Sequence, residues 1–323
     1  MVLDICRSFG ISLDLALEAR EILRGETGQE IPGVRVDRER YNEAEVTIVN
    51  IVEKAAEAIM GKPMGTYITI EAPVLRENNP AGHHRVSQIL ARQLEPFISP
   101  LPPHANILLV GLGNWRATPD ALGPRAIGMS LVTRHLFQYA PRELKGGMRS
   151  VSALAPGVLG ITGIETAEII KGVVERIQPE LMIVIDSLAA RSVTRICTTI
   201  QIADTGIAPG SGIGNRRAGI NRESMGVPVI AIGVPTVVHA AVIGQDTINA
   251  YLRQLQTATN AGLNQHLARQ AIQQVLEPFG GNLTVTPKEI DSLIENTAKV
   301  IAGGLSLTLH PGLTADDYSY YLH

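Results

Sequence analysis

The chain has 323 residues, of which 45% are hydrophobic, enough to bury a large core in one large or two ordinary domains. Its 28 basic and 31 acidic side chains give a net charge of -3, so the composition offers no basis for direct binding of nucleic acid or of an anionic membrane. The two cysteines, Cys6 and Cys197, are too few for a disulfide scaffold and lack the spacing of a metal site. No run of 18 apolar residues is present, and charged residues interrupt the N-terminus. We therefore expect a soluble intracellular protein without a metal or cofactor.

Hydrophobic periodicity predicts alternating helices and strands. In chain order these are a helix at 12–24 ending at Gly25, strands at 34–36, 46–51 and 67–70 with a helix at 54–60 among them, a helix ending before Pro96, strands at 107–110, 181–185, 198–202 and 227–232, and one or two helices within 245–276. Capping boxes at Thr162 with Glu165 and at Thr286 with Glu289 predict two further helices, the last reaching about Ile301. The expected fold is α/β, a twisted, largely parallel sheet flanked by helices.

The stretch ILLVGLGNWRATPDALGP, residues 107–124, places a carboxylate after a buried strand. A glycine turn follows the strand, Thr118 is expected to cap a helix, and Pro119 suits its first position. Asp120 would then lie in the first helical turn, where the helix dipole favours an ionised carboxylate. Ordinary capping chemistry is the alternative. A dinucleotide fingerprint is a poor match, because the position of its third glycine holds Arg116.

A second carboxylate, Asp186, directly follows the apolar run LMIVI. Open α/β sheets bind ligands at the carboxyl ends of their strands, so Asp186 and Asp120 can face one crevice if their strands are neighbours. Two close carboxylates do not both ionise cheaply, so one would keep a proton as general acid while the other activates water. This pair would suit peptide hydrolysis without a metal. Capping of a following helix is the alternative for Asp186.

Three other groups compete for a functional role. Asp204, Thr205 and Gly206 spell the triplet of pepsin-like and retroviral proteases, but those folds are all-β and need two copies, so a structural turn is favoured. A glycine-rich loop containing Gly212 and Gly214, followed by Arg216 and Arg217, could hold an anion or could simply be solvated. Glu165 is explained by its capping position.

Four motifs in order, GLGNWRATPDALGP, TGIETAEII, IDSLAAR and TTIQIADTGIAPGSGIGN, resemble the germination protease family of spore-forming bacteria, strongly over about 135 residues. The resemblance implies an endopeptidase that degrades small acid-soluble spore proteins in the cytoplasm of the forespore or spore core. It also implies a homotetramer and a catalytic pair that falls on Asp120 and Asp186. The family's fold is similar to that of hydrogenase-maturation endopeptidases, of the phosphorylase/hydrolase-like class. A metal-dependent peptidase and an inactive spore binding protein therefore stay open as alternatives.

The resemblance also implies a propeptide at the N-terminus, because members of the family are zymogens that remove a short N-terminal segment. The cut occurs after an acidic residue followed by a large apolar residue, alanine, any residue and glutamate, a pattern that residues 14–18 match as DLALE. We expect cleavage between Asp14 and Leu15, which divides the chain into a propeptide, 1–14, and a protease domain, 15–323, with its core at 104–245. A helix whose leucines simply pack is the alternative for this segment. An acidic residue before the cut calls for a cationic subsite, and the sequence offers Arg191, Arg216 and Arg217.

Overall fold

A computed structural model of the chain describes residue 9 and residues 13–27, 29–139, 147–210, 217–256 and 265–313. It is an α/β fold built on one nine-stranded sheet flanked by helices. The strands are β1 (Val34–Arg40), β2 (Glu45–Ile51), β3 (Gly65–Glu71), β4 (Asn106–Gly111), β5 (Ser150–Leu154), β6 (Leu181–Ala190), β7 (Thr199–Ala203), β8 (Val229–His239) and β9 (Thr284–Val285).

The α-helices occupy the connections between these strands, and within the described ranges one helix also precedes β1 and another follows β9. They are α1 (Ala16–Thr27), α2 (Lys54–Met60), α3 (Pro80–Ile98), α4 (Leu122–Gly128), α5 (Arg134–Tyr139), α6 (Leu159–Thr162), α7 (Thr166–Ile177), α8 (Arg222–Met225), α9 (Ala240–Gln256), α10 (Gln265–Leu276) and α11 (Ile290–Leu309). Among the described residues, no helix is both long and apolar enough to cross a membrane.

The sheet is mixed, with the strand order β1-β2-β3-β7-β8-β6-β4-β5 and with β9 beside β8. Pairs β4–β5, β4–β6 and β6–β8 are parallel, whereas the pairs that join β1, β2, β3, β7 and β8 are antiparallel. The expectation of a largely parallel sheet is therefore wrong for one half. The reason lies in short connections: only four residues join β1 to β2, too few for a parallel crossover.

Strands β4 and β6 lie in the middle of the parallel half and are buried on both faces. Leu109 and Ile183 point into a core shared with α3 and α11, whereas Leu108 and Val184 point to the opposite face and pack with α7. Burial on both sides explains the uninterrupted apolar runs from which both strands were predicted.

Several predicted boundaries differ from the structure. Helix α3 continues through Pro96 to Ile98. A proline in the last turn costs the helix only one backbone hydrogen bond, and the burial of Ile98 favours the helical end. Neither capping box forms: α7 begins at Thr166 without a side-chain cap, and α11 begins at Ile290 and runs past Ile301 to Leu309. Strand β5 was not predicted, since its partly polar sequence, SVSAL, gives little periodic signal.

Candidate active site

Asp186 lies inside strand β6, not after it as the apolar run suggested. The last paired residue of β4, Gly111, is aligned with Ile185, and β6 then continues alone on that side to Ala190. Asp186 is therefore the first β6 residue beyond the end of β4, and only 5% of it is exposed. The end of the neighbouring strand, rather than the end of its own strand, opens the space beside this carboxyl group.

Asp120 lies in the turn that follows β4, where a 3₁₀ turn over Thr118–Asp120 precedes α4. Thr118 makes no side-chain cap, contrary to expectation, because the 3₁₀ turn places it inside the turn and puts Ala117 at the N-cap. Gly113 has a φ of 115°, and a Cβ atom there would lie 1.9 Å from the carbonyl oxygen of Asp120. The Asn114 N–H donates to that same oxygen at 3.0 Å. The glycine turn therefore holds Asp120 directly against the end of β4.

Asp120 and Asp186 line the same cleft, which has a volume of about 480 Å³ and is also lined by Asp14 and Glu165. Burial raises the pKa of Asp120 to about 6. Burial also raises the pKa of Asp186 well above its usual range, and the negative charges of Asp120 and Asp14 raise it further. At neutral pH this arrangement favours a protonated Asp186 beside an ionised Asp120, which is the division of roles expected of a general acid and a general base.

Two hydroxyl groups in the cleft are available to a ligand. Ser187 Oγ and Thr236 Oγ1 are buried and have no hydrogen-bond partner within the described ranges. Thr236 lies in β8 where its register with β6 shifts between Leu188 and Ala189. Such bulges are common beside active sites, where they redirect a side chain. Both hydroxyls can therefore bind a water molecule or a substrate group next to Asp186.

The leader, defined here as residues 13–27 on both sides of the expected cleavage site, is docked against the end of β6 beyond β4 and against the residue that follows β6. The Asp14 carboxylate accepts a hydrogen bond from the Ala189 N–H at 3.0 Å, and the Glu18 carboxylate accepts from the Arg191 N–H at 2.9 and 3.0 Å. Ala189 belongs to β6 and Arg191 is the first residue after it, whereas Asp14 lies just before α1 and Glu18 lies in its first turn. Two acidic side chains of the leader thus match two backbone donors that β4 leaves unpaired.

Glu18 is the most deeply buried acid of the leader, with 1% of it exposed. Arg195 lies 3.3 Å from its carboxylate and also pairs with Glu21 and Glu71, at 2.9 and 3.1 Å. Burial raises the pKa of Glu18 to about 7, although the charge of Arg195 opposes the shift. Leu15 and Ala16, which lie between the two acids, are fully buried. The positions of the leader that match the expected cleavage pattern are therefore all enclosed by protein.

The arginines proposed as a cationic subsite lie elsewhere or make other contacts. The Arg191 guanidinium forms a bidentate pair with Asp246, and Arg217 lines the cleft but lies 3.3 Å from Glu165. Arg216, Gly212 and Gly214 fall outside the described residues.

Asp204 accepts a hydrogen bond from the Thr66 N–H at the start of β3. It is absent from the residues that line the cleft of Asp120 and Asp186, which agrees with a structural role for the Asp-Thr-Gly triplet. Within the described part of the chain, no group of three or more His, Cys, Asp or Glu side chains is placed to hold a metal ion.

Sequence reasoning missed three residues that contact the leader: Arg195, Lys62 and Gln201. Lys62 Nζ donates to the Asp14 carbonyl oxygen at 2.8 Å, and Gln201 Nε2 donates to the same oxygen at 3.2 Å. Gln201 carried a usable signal, because it is a polar residue between two isoleucines in the middle of strand β7. Lys62, in a turn before β3, carried none.

Comparison with known proteins gives a consistent result over the whole chain. A family model described as germination protease matches residues 13–263 and 253–322. The chain is 50% identical to a germination protease of Caldanaerobacter subterraneus subsp. tengcongensis, covering 97% of this chain and 98% of that protein. It is 43% identical to the one from Clostridium tetani, covering 97% and 99%, and 42% identical to the one from Bacillus subtilis, covering 97% of each.

Proposed function

Because this chain belongs to the germination protease family, and is thus a peptidase by descent, we propose that it is an aspartate-dependent endopeptidase that degrades small acid-soluble spore proteins during germination. It is made as a zymogen, residues 1–14 are its propeptide, and it cuts its own chain between Asp14 and Leu15. One observation carries the proposal: Asp120, Asp186 and Asp14 line a single cleft. On the basis of the family resemblance, we also propose that the protein forms a homotetramer and is located in the spore core.

The proposed reaction uses the two aspartates in different protonation states. Asp120, whose pKa is raised to about 6, is ionised near neutral pH and takes a proton from a water molecule. The water oxygen adds to the carbonyl carbon of Asp14, and the bond from that carbon to the Leu15 nitrogen then breaks. Asp186, kept protonated by burial and by neighbouring charge, gives its proton to the leaving nitrogen. The products are a new carboxyl group at Asp14 and a new amino terminus at Leu15.

The docked leader supports this assignment through its acidic side chains. The Ala189 N–H of β6 binds Asp14, the N–H of Arg191 just after β6 binds Glu18, and Arg195 adds a cation next to Glu18. A protein substrate with acids at the same spacing would use the same donors. Since the leader fills this position, we propose that it blocks substrate access until it is cut and displaced.

The test measures self-cleavage of the purified full-length chain and of three single variants. After incubation between pH 5 and 8, the wild-type protein is expected to acquire an N-terminus at Leu15, read by N-terminal sequencing and intact mass. Asp120→Asn and Asp186→Asn should slow the cut by about 100-fold or more, since each removes a proton-transfer group. Asp204→Asn is the matched control and should cut at the wild-type rate, because Asp204 binds Thr66 outside the cleft.

Two results would contradict the proposal. If Asp120→Asn and Asp186→Asn still acquire the Leu15 terminus at the wild-type rate, the aspartate pair is not the catalytic pair. If a chelator abolishes the cut and zinc or nickel restores it, the reaction belongs to a metal-dependent peptidase.

A further inference from the structure

Two side chains that the aspartate mechanism does not use converge on the carbonyl oxygen of Asp14. The Lys62 ammonium group donates to this oxygen at 2.8 Å and the Gln201 amide nitrogen donates at 3.2 Å. This carbonyl belongs to the peptide bond between Asp14 and Leu15. Lys62 and Gln201 come from different elements, the turn before β3 and strand β7, so the convergence is a tertiary feature.

Gln201 is oriented by two main-chain partners on either side of Leu15. Its Nε2 donates to the Asp14 carbonyl oxygen, while its Oε1 accepts from the Ala16 N–H at 2.7 Å. Reversing the amide would place donor against donor and acceptor against acceptor, so only this orientation satisfies both contacts. Gln201 is buried on β7, which limits its freedom to turn away. The Gln201 amide therefore holds the main chain on both sides of Leu15, through contacts that do not involve the side chains of Asp14, Leu15 or Ala16.

Resting on the proposed cut between Asp14 and Leu15, we infer that Lys62 and Gln201 form the oxyanion site of this protease. When water adds to the carbonyl carbon, the carbonyl double bond becomes a single bond and its oxygen takes the negative charge. The Lys62 cation and the Gln201 N–H already point at that oxygen and stabilise the charge without reorganising. The charge returns to the carbonyl when the bond to the Leu15 nitrogen breaks, so neither side chain changes its protonation state.

The competing role for both residues is simple docking, in which they hold the leader but do not affect the chemistry. The two roles differ in what a substitution changes. Loss of an oxyanion donor slows the chemical step by roughly 10²- to 10³-fold. It does not loosen the binding of the uncut leader. Loss of a docking contact loosens the leader. The experiment must therefore follow the cleavage rate and the leader's attachment together.

The first measurement compares Lys62→Met with Lys54→Met in the full-length chain. Lys54 is an exposed lysine on the neighbouring helix α2, so its removal is matched in charge and chemistry. We expect Lys62→Met to slow the appearance of the Leu15 terminus by about 100-fold, Lys62→Arg to regain part of the rate, and Lys54→Met to match wild type. Amide hydrogen exchange over residues 15–25 should stay as slow in Lys62→Met as in wild type.

The second measurement uses Gln201→Glu, which keeps an oxygen acceptor for the Ala16 N–H but removes the donor to the Asp14 carbonyl. We expect a slower cut with an attached leader. An unchanged rate in both Lys62→Met and Gln201→Glu overturns the inference. So does a slower rate accompanied by an equal gain in hydrogen exchange, since that is the result of a docking role.

Failure of this inference is distinct from failure of the proposed function. If wild type cuts at Leu15, Asp120→Asn and Asp186→Asn do not, and Lys62→Met does, the aspartate mechanism stands and only the oxyanion site is wrong. If wild type makes no cut at Leu15, both are wrong.

Discussion

The two halves of the sheet differ in geometry and in what they contribute to the cleft. In the parallel half, β4 ends early beside the longer β6, and this offset places Asp120 and Asp186 together. In the antiparallel half, helix α1 packs through Ala16 and Ala19 on residues of β2, β3 and β7, and Gln201 on β7 contacts the leader's main chain. Strand ends of a parallel arrangement gather reactive groups, whereas one face of an antiparallel sheet can accept a helix.

The Asp14–Leu15 bond lies where the two halves meet, with the aspartate pair in the parallel half and with Lys62 and Gln201 reaching Asp14 from the antiparallel half. Asp14 is the residue that links them: its carboxylate binds β6, and its carbonyl binds Lys62 and Gln201. Substitutions of the groups at the proposed reacting bond, in either half, should therefore lower the cleavage rate, whereas substitutions at contacts away from that bond, such as Arg195, should reduce selectivity or leader docking.

The largest effect is expected from Gly113→Ala, because the new Cβ would lie 1.9 Å from the Asp120 carbonyl oxygen at a φ of 115°. Asp120 must move, and a displacement of about 1 Å at a catalytic group lowers the rate by roughly 100-fold. The measurement is the rate of self-cleavage together with the thermal unfolding midpoint. Gly226→Ala is the control: its φ is 80°, but nothing lies within 4 Å of the new Cβ. A Gly113→Ala protein as active as Gly226→Ala would show that the turn does not position Asp120.

A smaller effect is expected from Arg195→Met, which removes the cation beside the buried Glu18. Truncating one partner of a buried charge pair costs about 2 kcal/mol or more, equivalent to roughly 30-fold in binding. We expect the preference for Glu over Gln at the fourth position after the cut to fall by about that factor, measured on paired synthetic peptides.

Arg217→Met is the control for Arg195→Met, because it removes an arginine that lines the cleft of Asp120 and Asp186 and whose pair with Glu165 is partly exposed. It should leave the Glu/Gln preference unchanged. Equal loss of preference in the two variants would mean that general positive charge, rather than the Arg195 contact, sets this selectivity.

The smallest effect is expected on stability, in Asp186→Asn. The folded-state pKa of Asp186 is raised above its unfolded value, so its contribution to stability is complete below the unfolded pKa and is lost as the pH rises through the folded pKa. The asparagine cannot ionise. We therefore expect the variant to unfold a few degrees higher than wild type at pH 8, with a smaller difference at pH 5. Thermal unfolding at both pH values checks this. If the difference in unfolding midpoint between the variant and wild type is the same at pH 5 and pH 8, ionisation of Asp186 does not destabilise the folded protein.

Much of the fold could be predicted because the central strands are apolar runs bounded by glycine or charged residues. The apolar runs at 107–110 and 181–185 predict the positions of β4 and β6, and each candidate aspartate follows one of these runs in the sequence. Boundaries were less reliable. The capping box of Thr162 and Glu165 failed because the helix starts at Thr166, and Glu165 instead pairs with Arg217. Local capping patterns are easily overridden by such tertiary contacts.

The sequence by itself indicated the α/β class and the family, and it supplied the aspartate pair and the cleavage pattern of the leader as predictions, because each rests on local periodicity or on a contiguous motif. Only the tertiary structure decided the mixed direction of the sheet, the shared cleft and the convergence of Lys62, Gln201 and Arg195 on the leader. These depend on which strands become neighbours and where one strand ends beside another. Residues 14 and 201 are far apart in the chain, and packing of the leader on the sheet, not sequence spacing, brings them into hydrogen-bond distance.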